Sequence, residues 1–133
     1  MRYRRVTYRS ATLSLGGHPW AFAAWEHAAL RLLAEPGWRP AADVCETPDA
    51  IEVTVDLAGL DEADFEVQLF DNGLVVEGHR TLPSCGADTV YLAAGIRQGA
   101  FRLELPLPVH VDPDRVEARY ERGLLFVTLP KRA

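Results

Sequence analysis

The residues of this chain that could do chemistry are four histidines, two cysteines and a scatter of acids and hydroxyls. His18, His27, His79 and His110 stand far apart. None belongs to a His-Glu-x-x-His pair, and none has a second ligand at the spacing that holds zinc. Cys45 and Cys85 lie 40 positions apart. They make no metal-binding pair, and no local feature argues that they meet, so they read as free thiols of a reducing compartment. Ser84-Cys85 offers nucleophilic atoms, but a nucleophile needs a base held by a third group, and no such set is legible. Asp61-Glu62, Asp112 and Asp114 sit in turns beside Gly or Pro and read as solvated turn residues and caps. Gly16-Gly17 lacks the Lys-Ser/Thr that completes a phosphate loop. The expectation is a protein without catalytic residues, metal or cofactor, which acts through surface, strand edge and apolar exposure.

The elements that would present such surfaces must come from a single domain's worth of chain, 133 residues. That length buries a core without a staple. Hydrophobic residues at 48% and charged residues at 25% are an ordinary soluble balance. No run of 18 apolar residues is present, so no membrane span is expected. The basic start MRYRRVTYRS leads into no continuous apolar stretch, so no secretory signal is expected and the cytoplasm is the expected location. Charge is uneven. Residues 1–39 hold six Arg and two Glu, a net +4, whereas residues 40–130 hold six Arg and seventeen acids, a net −11. An acidic body repels phosphate backbones, which argues against a specific nucleic-acid partner.

Two pieces meet near EPGWRP. In the first, residues 1–37, Gly16-Gly17 ends a faintly alternating stretch. HPWAFAAWEHAALRLLAE then repeats Phe22, Trp25, Ala29 and Leu32 at spacings of three and four, which predicts an amphipathic helix over about 20–34. Pro19 can sit in its first turn, and Pro36-Gly37 stops it. Two Trp and a Phe on so short an element suit either docking on its own domain or presentation to another molecule. The second piece, residues 38–130, has an all-β pattern. IEVTVDLAG sets Ile51, Val53, Val55 and Leu57 against Glu52, Thr54 and Asp56. Phe65, Val67 and Leu69 share one face before Asp71-Asn72-Gly73, where an Asn-Gly pair able to take positive φ predicts a hairpin returning through Leu74-Val75-Val76. AFRLELPLP, VEARY and GLLFVTLP supply further strands, with Gly123 predicted as a turn that a side chain would strain. Short strands at this spacing point to a β-sandwich, and the connection 80–99 is long for one.

From Trp38 to Pro130 the chain resembles the small heat shock proteins, the α-crystallin domain family. The likeness is carried by Pro40, Asp43, Glu46, Asp56, Leu57, Gly59, Val75, Gly78 and Arg80, and then by Gly99, Phe101, Leu105 and Pro106. It ends on Ala118, Gly123, Leu125, Leu129, Pro130 and Lys131. YLAAGIRQGAF is also similar to the bacterial branch of the family. The resemblance implies an immunoglobulin-like β-sandwich and an ATP-independent holdase for partly unfolded client proteins. It also implies a homodimer made by strand exchange. A strand near Val90–Ala94, with Tyr91 and Leu92, would cross to a partner's edge around Ala41, Asp43, Val44 and Cys45.

Two departures from the family pattern shape the expectation. Gly95 and Ile96 stand where many relatives carry a Glu-Arg pair, so a dimer would rest on backbone pairing and apolar contact. Residues 131–133 replace the usual tail that plugs a neighbour's edge groove with two apolar residues one apart, so small assemblies of dimers are expected. Leu13-Ser14-Leu15 has the plug's alternation, which makes Leu13 and Leu15 candidates for that groove, beside an ordinary self-packed arm. Phe22, Trp25 and Leu32 are the candidate client-binding residues. A second reading stays open, a non-chaperoning scaffold of similar fold that binds one folded partner.

Overall fold

The structure, a computed structural model, describes residues 2–3, 6–13 and 37–133. The expected helix, with Phe22, Trp25 and Leu32, lies outside these residues, as does Leu15. Among the described residues nine strands form two sheets: β1 (Arg2–Tyr3), β2 (Val6–Tyr8), β3 (Ala42–Glu46), β4 (Ala50–Asp56), β5 (Phe65–Phe70), β6 (Gly73–Arg80), β7 (Gly99–Pro106), β8 (Glu117–Glu121) and β9 (Leu124–Pro130). One sheet runs β1-β8-β9-β4-β3 and the other β2-β5-β6-β7. The fold is the expected all-β sandwich.

The alternating runs become strands because each gives one face to the shared core. Ile51, Val53, Val55 and Leu57 point inward beside Leu125, Val127 and Leu129, and from the other sheet come Phe65, Val67, Leu69, Leu74, Val76, Phe101, Leu103 and Leu105. Glu52 and Asp56, on the opposite face of β4, are exposed. Each fully buried aliphatic side chain here stabilises the fold by about 1.5–3 kcal/mol over its exposed state. Edge-on contact of Phe65 with Tyr120, ring centroids 5.1 Å apart, joins β5 to β8. The Tyr120 hydroxyl reaches the carbonyls of Leu57 and Leu60 at 2.7 and 2.8 Å. It thereby ties β8 to the bend after β4.

The turns follow the expected positions but not always the expected chemistry. Arg122 (φ 52°) and Gly123 (φ 81°) make the β8–β9 turn left-handed at both central residues, as that tight hairpin requires. A Cβ on Gly123 would also lie 3.0 Å from the Ala58 Cα. In the β5–β6 hairpin, by contrast, no residue of Asp71-Asn72-Gly73 has positive φ. The expected reason for Asn72 is therefore wrong, and its side chain has a different task, described below. Asp112 accepts from the Asp114 N–H at 3.0 Å, and the Asp64 carboxylate accepts from the Asp61 N–H at 2.9 Å, so these acids act as local caps.

Gly78 is required by space and not by backbone angle. It faces Phe65 across the β5–β6 ladder. A Cβ there would stand 2.2 Å from the Asp64 carbonyl oxygen, 2.8 Å from the Phe65 Cα and 2.9 Å from the Phe101 Cζ.

Candidate strand-edge interface

β3 closes the five-stranded sheet on one side, bonded to β4 from Ala42↔Val55 to Glu46↔Ile51, and among the described residues no strand pairs with its other edge. Unpaired edge groups invite a further strand. Asp43, Val44, Cys45 and Glu46 are exposed, and Ala41 is exposed just before the strand. The strand itself is firmly held. Ala41 accepts from the Asp56 N–H at 2.9 Å, and Lys131 Nζ meets Glu46 Oε2 at 2.7 Å. That ion pair is half exposed and worth little in itself, but it neutralises a carboxylate on the edge.

The long connection 81–98 forms no strand within the chain, including the expected Val90–Ala94 stretch. A strand needs a ladder partner, and the loop has none among the described residues. Its apolar side chains face solvent: Leu92 is 98% exposed and Val90 83%, with Tyr91 and Ile96 also open. Such exposure of consecutive large apolar residues is unusual for a surface loop. Tyr91 lies by Cys85, whose hydrogen bond raises the phenol's pKa above its ordinary value. Both cysteines are free and exposed.

A clamp fixes the base of this loop. Arg80, at the end of β6, is buried. Its Nε and Nη2 donate to the Arg97 carbonyl at 2.9 and 2.5 Å, and its Nη1 donates to the Ala58 carbonyl at 3.2 Å. The guanidinium lies 4.3 Å from the centre of the Trp38 ring. Trp38 in turn packs on Phe101 and donates its indole N–H to the Gly99 carbonyl at 3.1 Å. The planar fork of an arginine suits this site, since it can bond two carbonyls while stacking on a ring. The loop therefore leaves a rigid base with its apolar tip free. Arg80 belonged to the sequence pattern, but its clamp role was not legible there.

The predicted exchange residues thus fall into two sets, Ala41, Asp43 and Val44 on the open edge and Tyr91 and Leu92 on the loop tip, which one chain does not pair. Leu13, one candidate plug residue, is buried against the β5–β6 turn of its own chain, where its Cδ2 lies 3.0 Å from the place a Cβ on Gly73 would take. Among the described residues no group of three His, Cys, Asp or Glu could hold a metal ion, and no helix is long and apolar enough to cross a membrane.

Comparison with known proteins agrees with the β-sandwich fold. The model of the Hsp20/alpha crystallin family matches residues 43–133. Spore protein SP21 of Stigmatella aurantiaca is 36% identical over 118 residues, 89% of this chain and 65% of that protein. A 17.8 kDa class II heat shock protein of Zea mays is 40% identical over 68% of this chain and 56% of its own length. The chain thus spans a little over half to two thirds of these relatives. The crystal structure of a small heat-shock protein from Xylella fastidiosa, described as having a distinct high order structure, superposes with a TM-score of 0.63. It is 33% identical and covered over 72% of this chain and 88% of that one.

Proposed function

The chain belongs to the Hsp20/alpha crystallin family, and we propose that it is an ATP-independent holdase that keeps partly unfolded proteins from aggregating. The observation that carries this reading is an open strand edge and a solvent-facing apolar loop held on a rigid sandwich. In this reading the loop tip, Tyr91 and Leu92, crosses to the β3 edge of a second subunit at Ala41, Asp43 and Val44. Reciprocal exchange covers two edges and closes a two-fold dimer. It also removes the exposed apolar tip from water.

Client capture falls to the N-terminal arm, with Phe22, Trp25 and Leu32 as the apolar contacts, while the body's net charge of −11 over residues 40–130 keeps the complex dispersed. Burial of shared apolar surface needs no nucleotide and no catalytic group. The exposed thiols Cys45 and Cys85 suit a cytoplasmic, reducing setting. The test is light scattering of several heat-aggregating clients with the purified protein at near-equal molar ratio and no ATP. Suppression is expected, and it should weaken in the triple variant Phe22→Ser/Trp25→Ser/Leu32→Ser. Unchanged aggregation of every client would overturn the reading.

A further inference from the structure

The two thiols of the chain stand on the two surfaces that a single copy does not bring together. Cys45 lies on β3, the open edge strand, opposite Glu52 of β4. Ala42 packs against the core, so alternation places Asp43 and Cys45 on the outer face of the sheet. Cys85 lies in the connection 81–98. Both thiols are free and exposed.

Cys85 belongs to the tip of its loop and not to the base. The six steps from Cys85 to Tyr91 would span about 20 Å if extended, but the chain turns back between them. The Gly86 N–H donates to Ser84 Oγ at 3.2 Å, and Thr89 Oγ1 donates to the Gly86 carbonyl at 2.6 Å. This turn sets the Tyr91 phenol in hydrogen-bond contact with Cys85, through both its thiol and its backbone. Arg80 anchors the loop elsewhere, at the Ala58 and Arg97 carbonyls. A Cβ on Gly86 or on Gly95 would meet nothing within 4 Å, so the chain on either side of the tip has room to adjust.

We propose that Cys45 and Cys85 of the partner subunit join as a disulfide when the strand-exchanged dimer meets oxidised glutathione. The inference rests on the exchange reading above, in which Tyr91 and Leu92 lie on a second subunit's edge at Ala41, Asp43 and Val44. Cys45 is one to four positions further along that strand, about 3–13 Å, and Cys85 arrives there beside Tyr91. A disulfide needs Cα atoms about 4.4–6.8 Å apart, a separation within that range. The chemistry is thiol–disulfide exchange in two steps. Either thiolate attacks the S–S bond of the oxidant; one glutathione leaves as a thiolate and takes a proton, and the other stays on the chain as a mixed disulfide. The facing thiolate then attacks the protein sulfur and expels that second glutathione. The two cysteine thiols give up two electrons and two protons, and the oxidant becomes two thiols. Two-fold symmetry makes two such bonds in each dimer. A dimer otherwise held by backbone pairing and apolar contact then cannot come apart. In a reducing cytoplasm both thiols stay free, and the lock closes only when the glutathione pool is oxidised.

The test uses the full chain at about 10 µM, treated with oxidised glutathione. Covalent dimers are separated by non-reducing electrophoresis and their linked peptides read by mass spectrometry. Links from 45 to 85 are expected in the dimer band, exceeding 45–45 and 85–85 links by about a hundredfold. Facing thiols in a dimer meet at an effective concentration near ~1 mM, against about 10 µM in solution. Cys45→Ser and Cys85→Ser should each leave only the collision level of covalent dimer. Oxidised nitrogen-15-labelled and unlabelled dimers, once mixed, should exchange no subunits until a thiol reductant is added. Sedimentation of the reduced protein, run beside these, lets the two readings fail separately. A reduced dimer whose oxidation gives 45–85 links only in the monomer band, all three links in random proportion, or glutathione adducts alone overturns the disulfide and leaves strand exchange standing. Reduced protein that sediments as a monomer overturns both.

Discussion

Gly78→Ala separates crowding from backbone strain. Alanine suits a strand better than glycine by roughly half a kcal/mol or more, so propensity alone predicts a gain. Gly78 is not in the left-handed region, so no strain is added by the backbone angle. What remains is contact. A Cβ 2.2 Å from the Asp64 carbonyl oxygen and 2.8 Å from the Phe65 Cα meets main chain, which cannot swing aside as a side-chain tip would. Ordinary contact requires the β5–β6 ladder to part there by about 1 Å, and overpacking of that kind costs about 1–3 kcal/mol. Loss of one or two neighbouring ladder bonds adds about 1 kcal/mol each. Less the propensity gain, the expected destabilisation is about 2–4 kcal/mol, a fall in Tm on the order of 8–16 °C for a chain this size. Gly123→Ala combines positive φ with a 3.0 Å approach to the Ala58 Cα. It should lose about 2–3 kcal/mol, since left-handed strain alone costs about 1–2. Gly95→Ala meets nothing within 4 Å and should stay within about 0.5 kcal/mol of the parent. Urea and thermal unfolding by circular dichroism check the series. A Gly78→Ala melt within a degree or two of Gly95→Ala would refute the claim that space dictates the glycine.

Tyr120→Phe removes the hydroxyl that reaches the Leu57 and Leu60 carbonyls and should destabilise the fold by about 1–2 kcal/mol. Burial raises the Tyr120 pKa above its ordinary value of 10.0, outweighing the Leu60 hydrogen bond. The phenol's contribution is therefore full below pH 10 and lost as pH rises through the folded value. Denaturant midpoints measured across that window should converge for parent and variant; a constant gap would refute the linkage. For the proposed dimer, Tyr91→Ser/Leu92→Ser should lower the dimer fraction in sedimentation by an order of magnitude or so, with far-ultraviolet dichroism unchanged. An unaltered dimer would remove the loop tip from the interface.

Much of the sandwich was legible without coordinates because its causes are local. The alternation from Ile51 to Leu57 decides which face of β4 is inside whatever strand lies opposite. The same holds for Phe65, Val67 and Leu69, and for Leu125, Val127 and Leu129, all of them buried as their spacing required. Gly123 could be placed at a turn because a two-residue gap between alternating runs admits few backbone shapes. The open loop could be named from its length and from its likeness to a family.

Other features depend on residues that meet only after the chain folds. Asn72 looked like a turn former, and its amide instead clasps Leu13 from 59 residues away. Gly78 entered only as one position of the family likeness, and its reason is the Asp64 carbonyl and Phe101 that crowd it in the fold. Arg80 gave no sign that it would hold the Ala58 and Arg97 carbonyls and lie on Trp38. Nor did the short alternating start of the chain announce that Val6–Tyr8 would run parallel to β5. Periodicity is written in neighbouring residues, so sequence determined the faces and the turns. A clasp, a clamp or a covered edge is a coincidence in space of distant segments, and only the tertiary structure could decide it.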